Sequence, residues 1–334
     1  MTTQAQRPEA DAAEVARGLA RKVALAALLG GVVFAALALY GDVDKLRAAA
    51  GEIAPLSVAL GFALAVGNAL LRIARWQYYL GCIGVRVPLA ESSVVFLSGF
   101  AMSVTPGKVG EVFKSLLLYE SRGVSMVRSA PIVVAERLTD LIALVLLVAI
   151  GSLSFDGGVP LAIGSASVVA LIVAVCAYRP LGELLLGLAE RVPLLSKAAA
   201  AFRAAYESLL TMMRPSALVI GTLVAFVAWS LECATLYVIV HGFEGVVLPW
   251  DAAVFAYSFS TIAGALTMMP GGLGVTDAGM TGLLQALGGA SMQPAVATAA
   301  TILVRLATLW FAVVIGLVAF AVFRSMQRKK LARA

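Results

Sequence analysis

The sequence is poor in charge and in the residues that build metal and disulfide sites. Asp, Glu, Lys and Arg make up 13% of its 334 residues, with three cysteines and one histidine. Cys82, Cys176 and Cys233 are odd in number and far apart, which argues against a disulfide framework. His241 has no second ligand at metal spacing, so no metal and no cofactor is expected. Hydrophobic residues are abundant, at 61%. They form runs near or above the roughly 18–20 residues that cross a bilayer as a helix. The fold class is an all-α polytopic membrane protein. In that setting the net charge of +6 concerns orientation and anionic lipid, and nucleic acid is not an expected partner.

Residues 1–22 are polar and read as a cytoplasmic N-terminal segment, and the transmembrane domain reads over 23–323. Its first run, Val23 to Tyr40, is long and follows a mixed-charge leader, so it reads as a retained span rather than a cleaved signal. A short polar link, Gly41 to Ala54, comes next. The second span opens at Pro55, a favourable first helical residue. It ends near Leu80 with Arg72, Arg75, Trp76, Tyr78 and Tyr79, which read as an interfacial belt of cations and aromatics. Further spans read at about 128–155, 160–178, 216–241 and 294–323. The amphipathic stretch 179–214, divided by Pro193, reads as a surface segment, and 324–334 as a basic cytoplasmic tail.

Two apolar stretches are broken in the middle. Residues 91–120 are interrupted at Pro106-Gly107 and residues 251–287 at Met268 to Val275. Each arm of the first is about 13–14 residues, roughly 20 Å of helix, too short for a core of about 30 Å. Both stretches therefore read as re-entrant helical hairpins. With both termini cytoplasmic, about 20 of the 25 Lys and Arg fall on the cytoplasmic side, as the positive-inside rule expects. On that topology a span, a hairpin and an arginine-bearing span (about 55–155) recur at about 216–323 with the opposite orientation. The motifs align as Pro106-Gly107-x-x-Gly110 with Pro270-Gly271-x-x-Gly274, followed by Arg137-Leu138 and Arg305-Leu306. About six full spans plus two re-entrant hairpins then form an inverted-topology repeat, which puts a binding site at the midplane.

The chemistry at the breaks suits an anion. Each second arm begins with free N–H groups and the positive end of a helix dipole. Gly107, Gly110, Gly271, Gly272 and Gly274 allow close approach, and Thr105 and Thr276 read as caps. Lys108, Arg137 and Arg305 would hold a phosphate, with Glu111, Glu136, Asp140 and Asp277 balancing charge or exchanging protons. A plainer reading pairs Glu136 and Asp140 with Arg137, and Asp277 or Glu232 with Arg305, for structure alone. Met268 and Met269 read as packing residues.

Thr105-Pro106-Gly107-Lys108-Val109-Gly110-Glu111, Glu136-Arg137-Leu138-Thr139-Asp140, Pro270-Gly271-Gly272-Leu273-Gly274-Val275 and Arg305-Leu306 resemble the lysylphosphatidylglycerol synthase transmembrane, or flippase-like, family. This is the membrane domain of the multiple peptide resistance factor. The resemblance spans about 20–325. Thr276-Asp277 departs from it, since the family often has an aromatic residue and glutamate there. The resemblance implies movement of a polar-headed lipid between leaflets of a bacterial inner membrane. No aminoacyl-transferase domain is read before Ala334, so a transporter-like rather than enzymatic role is expected. The expected partners are membrane lipids with anionic or phosphate-bearing head groups, and a separately encoded lipid-modifying enzyme. The alternatives are an ion-coupled transporter of a small soluble anion and a non-transporting protein that presents lipid to a separate transferase.

Overall fold

A computed structural model of the chain describes residues 24–25, 27–104, 113–153, 158–191, 203, 206, 207, 210 and 214–332. The regular elements among them are all helical. α1 (Ala27–Gly41) and α2 (Val43–Glu52) meet at 94°. The bend is made by Asp42, at a left-handed φ of 67°, a conformation aspartate tolerates better than most residues. Its carboxylate accepts the N–H groups of Asp44 and Lys45 and so caps α2. The expected polar link is thus largely a helix, started by the acid that ends the one before.

α3 (Pro55–Cys82) is followed by α4 (Leu89–Ser98), which tightens into a 3₁₀ turn at Gly99–Met102, and by α5 (Phe113–Arg122). Next come α6 (Met126–Ser152), α7 (Gly158–Ala177) and α8 (Arg179–Arg191). α8 turns by 102° from α7. The second half is α9 (Pro215–Val240), α10 (Trp250–Leu266), α11 (Val275–Leu287) and α12 (Pro294–Arg305). A π-helical turn at Leu306–Trp310 leads into α13 (Phe311–Leu331).

Among the described residues three helices are both long and apolar enough to cross a membrane: α3, α9 and the continuous stretch Pro294–Lys330, with up to five if each bent pair is one span. α6 has 27 residues, about 40 Å of helix, but carries Glu136, Arg137 and Asp140 near its middle. Arg137 lies eleven residues past Met126 and Arg305 eleven past Pro294, about 16 Å along the helix in both cases.

α3 packs most extensively on α9. Lipid tails remove the hydrophobic drive for helices to associate, so close packing and hydrogen bonds must supply it. At this seam Asn68 Nδ2 donates to Ala228 O at 2.8 Å and Gly61 lies against Thr235 and Ile239. Two further contacts are reciprocal: α6 packs on α10, and α13 packs on α4 and its 3₁₀ turn. Two large apolar cores and a small one, Val104 with Val313, result among the described residues. Of the large two, one holds Trp76, Tyr79, Phe96, Leu117 and Phe323; the other holds Trp229, Leu236, Met280, Leu284 and Val304.

Gly316 of α13 touches the backbone of Ala101, where an added Cβ would lie 2.1 Å from the Ala101 nitrogen. Gly316→Ala should therefore destabilise the fold by about 1–3 kcal/mol. Gly164→Ala, which meets nothing within 4 Å, should leave thermal unfolding in detergent unchanged or slightly improved.

Candidate functional site

The second break runs in left-handed backbone at Met268, Gly271, Gly272 and Gly274, with φ of 55°, 60°, 69° and 86°. Glycine takes these angles without steric cost; Met268 is held there under strain. Gly264 and Gly272 close on Thr276, whose hydroxyl would lie 1.9 Å and 2.5 Å from a Cβ at either. Thr276 is not the cap expected from sequence. It lies inside the first turn of α11, and Gly274 is the N-cap. The Gly274 N–H donates to Asp277 Oδ2 at 2.8 Å. The positive helix end predicted to hold an outside anion therefore already holds the fully buried carboxylate of Asp277. Arg305 faces it, with Nε 2.9 Å from Asp277 Oδ1 and Nη2 donating to Gly271 O at 2.6 Å. One guanidinium thus ties α12 to both sides of the break. The π turn follows immediately, an irregularity that concentrates at functional sites.

In the first half, three guanidiniums converge on Asp140: Arg75 Nη1 at 2.8 Å, Arg137 Nη2 at 3.0 Å and Arg72 Nη2 at 3.8 Å. Arg75, 1% exposed, also donates to Thr139 Oγ1 at 3.2 Å. This corrects the interfacial belt. Residues 72, 75, 76 and 79 fall at i, i+3, i+4 and i+7, one stripe of α3, and Arg75, Trp76 and Tyr79 on it are buried. The pairing of Arg137 with both Glu136 and Asp140 is also corrected. Asp140, three residues on, lies within reach of Arg137. Glu136, adjacent in sequence, points instead to Lys114 Nζ at 2.6 Å. Both are buried, and Lys114 lies over the rings of Trp76 and Phe96 at 5.1 and 4.7 Å.

Between these groups is a cavity of about 290 Å³. Arg72, Arg137 and Asp140 line it from the first half. Glu232, Tyr257, Gly271, Gly272, Thr276 and Arg305 line it from the second. The Tyr257 hydroxyl donates to the Glu232 carboxylate. Much of the remaining wall is carbon, including Leu141, Leu144, Leu266, Met268 and Ile315. Leu266 and Met268 are 78% and 60% exposed, so this wall reaches the outer apolar surface, and Met268 is not the packing residue it was read as.

Of the sequence-predicted set, Arg137, Asp140, Gly271, Gly272, Thr276 and Arg305 meet at the cavity. Pro270, Gly274 and Asp277 build the break beside it, and Glu136 is buried away from it with Lys114. Thr105, Pro106, Gly107, Lys108, Gly110 and Glu111 lie outside the described residues. The set lacked Asn68, Arg72, Arg75, Lys114, Glu232 and Tyr257. The arginine–aromatic stripe on α3 and the single acid in α9 were the available signals. Among the described residues no three His, Cys, Asp or Glu side chains gather as a metal would need.

The family model of the lysylphosphatidylglycerol synthase TM region matches residues 23–316, both breaks and all three cavity arginines included. The chain belongs to that family. A similar protein is the UPF0104 membrane protein of Methanothermobacter thermautotrophicus, 28% identical over 335 residues, 93% of this chain and 98% of that protein. This lysylphosphatidylglycerol synthase TM-region chain is an integral membrane protein by family and by its apolar helices.

In this family member Asp140 compensates buried arginines, so its neutralisation should be costly. Asp140→Asn should lower stability by about 3–5 kcal/mol, read as an earlier midpoint in denaturing-detergent titration. Glu52→Gln, at an exposed site, should change it by under about 0.5 kcal/mol.

Proposed function

We propose that this protein is a lipid translocator that moves a phosphate-bearing lipid between leaflets, holding the head group at a midplane site while the tail stays in the bilayer. The observation that carries this reading is the cavity itself. Arg72 and Arg137 from one half and Arg305 from the other enter one space whose remaining wall is largely apolar and continues to the outer surface. Guanidinium groups hold phosphate in two-point fashion, and a carbon wall open to the bilayer suits an attached chain.

The proposal takes the architecture as six spans and two re-entrant hairpins in an inverted repeat, with both termini cytoplasmic in an inner membrane. Its support is the reciprocal packing of α6 on α10 and of α13 on α4, and the equal depth of Arg137 and Arg305 in their helices. Family membership makes a lipid-related role plausible. The reading implies no chemical conversion of the lipid, only binding, exposure to the other side and release.

The test is transfer of a fluorescent phosphate-bearing lipid between leaflets of proteoliposomes, read by dithionite quenching. Arg137→Ala and Arg305→Ala should each slow transfer about thirtyfold or more, the loss of one buried charge-assisted contact. Undiminished transfer in both, with folding intact, would sink the mechanism. Uptake of soluble phosphate without lipid transfer would point to the soluble-anion reading. Retention of lipid without transfer would point to a presenting role.

A further inference from the structure

The facing sides of α11 and α12 carry a second polar feature, of which Arg305 alone lines the cavity. On α11, Asp277, Thr281 and Gln285 recur every four residues; on α12, Thr298, Thr301 and Arg305 fall at i, i+3 and i+7. Each set makes one stripe along its helix. The stripes meet: Arg305 is at 2.9 Å from Asp277, and Thr281 Oγ1 donates to Thr301 Oγ1 at 2.9 Å. Towards the bundle end, Gln285 Oε1 accepts from the Tyr40 hydroxyl at 3.0 Å, and Tyr40 is 59% exposed. Gly41 leaves α1 against Thr298, where a Cβ would lie 3.1 Å from the threonine oxygen.

The threonines on this track are not bonded as several others in the chain are. Thr139, Thr235, Thr261 and Thr308 each donate to the carbonyl four residues back. Thr281 instead reaches across to the other helix. Thr298 Oγ1, on a fully buried residue, and the buried Nε2 of Gln285 have no hydrogen-bond partner among the described residues. Unmet buried polar groups are rare and call for a cause such as water or an ion. A hydroxyl both donates and accepts, so a row of them can accept a proton on one side and release one on the other.

We propose that the α11–α12 seam is a proton path from the Tyr40 end of the bundle to Asp277. A proton entering beside Tyr40 and Gln285 passes through water and the hydroxyls of Thr298, Thr301 and Thr281, each left unchanged. It comes to rest on the Asp277 carboxylate, which becomes neutral. That weakens the ion pair with Arg305 and the bond from the Gly274 N–H. The Arg305 guanidinium is then available to an anionic head group in the cavity, and when Arg305 returns the proton passes from Asp277 to water in the cavity and so to the other side. The charged group facing Asp277 from α12 is Arg305. α10 brings Tyr257, bonded to Glu232 of α9, to the same cavity, and Tyr40 is the titratable group at the outer end.

Coupling to lipid rests on the function proposed above; the path itself does not. The full chain is placed in proteoliposomes with an entrapped pH dye under an imposed potential, and lipid transfer is followed in the same vesicles. In Thr281→Val/Thr301→Val, proton entry should fall by about tenfold or more, with rescue by Thr281→Ser/Thr301→Ser and unchanged thermal unfolding. Asp277→Asn should stop proton entry and make any remaining lipid transfer indifferent to a pH gradient. Undiminished proton entry in the folded valine double variant would overturn the path. Lipid transfer by the unaltered protein without proton entry would overturn the path and leave the translocator standing. Proton entry without lipid transfer would do the reverse.

Discussion

A charge moved from water into hydrocarbon costs several kcal/mol even after relaxation unless another charge or a set of hydrogen bonds meets it. In this protein that constraint ties the helices together. Arg75 joins α3 to α6 through Asp140, Lys114 joins α5 to α6 through Glu136, and Arg305 joins α12 to the second break through Asp277 and Gly271. The Arg75 bond links helices well separated along the chain, and the other two fix neighbouring elements against each other. Because lipid offers helices no hydrophobic reason to associate, these contacts and the close seam of α3 on α9 specify which helices are neighbours. The apolar cores then fill around them.

The same constraint explains the second break. Its backbone leaves the helix in the middle of the bundle, where unpaired N–H and C=O groups would be expensive. Asp277 takes the Gly274 N–H and Arg305 takes the Gly271 carbonyl. The ion pair between those two side chains thus also satisfies the freed backbone. Glycine at 271, 272 and 274 makes the left-handed turn cheap. Strain is left at Met268, the non-glycine residue on the cavity side that shares the same backbone region.

Much of this was legible from residue order. Long apolar runs place α3, α9 and the start of α12 to within a few residues, since span length follows from bilayer thickness. α13 continues to Leu331, eight residues beyond the span read from sequence. Pro-Gly pairs mark the second break because glycine and proline act locally. Partner choice was less accessible. Arg137 could reach Asp140 by helical spacing, but nothing local says that Arg72 and Arg75 come from α3 to the same carboxylate. Aromatic and cationic residues near a helix end resemble an interfacial anchor whether they face head groups or a neighbouring helix. Only the tertiary position of α6 separates the two. Lys114 and Glu136 were hidden for the same reason, as was the occupation of the α11 N-terminus by Asp277 rather than by a ligand.

The two halves of the cavity are alike in layout and unlike in electrostatics. On the second side one arginine faces one fully buried acid held by a backbone N–H, and Glu232, bonded to Tyr257, adds a second acid to that wall. On the first side Arg72, Arg75 and Arg137 share Asp140, four side chains whose formal charges sum to +2. A positive potential is therefore built by the α3–α6 contact and not by the glycine-rich break that first attracts the eye. On the function proposed above, attraction of an anion would depend on that fixed cluster, and its release on how firmly the opposite arginine is held by its own acid. On that proposal, a site with one fixed cationic wall and an opposite arginine held by its own acid would change its affinity for an anion through that single carboxylate. Two equally charged walls could not do so without moving a helix.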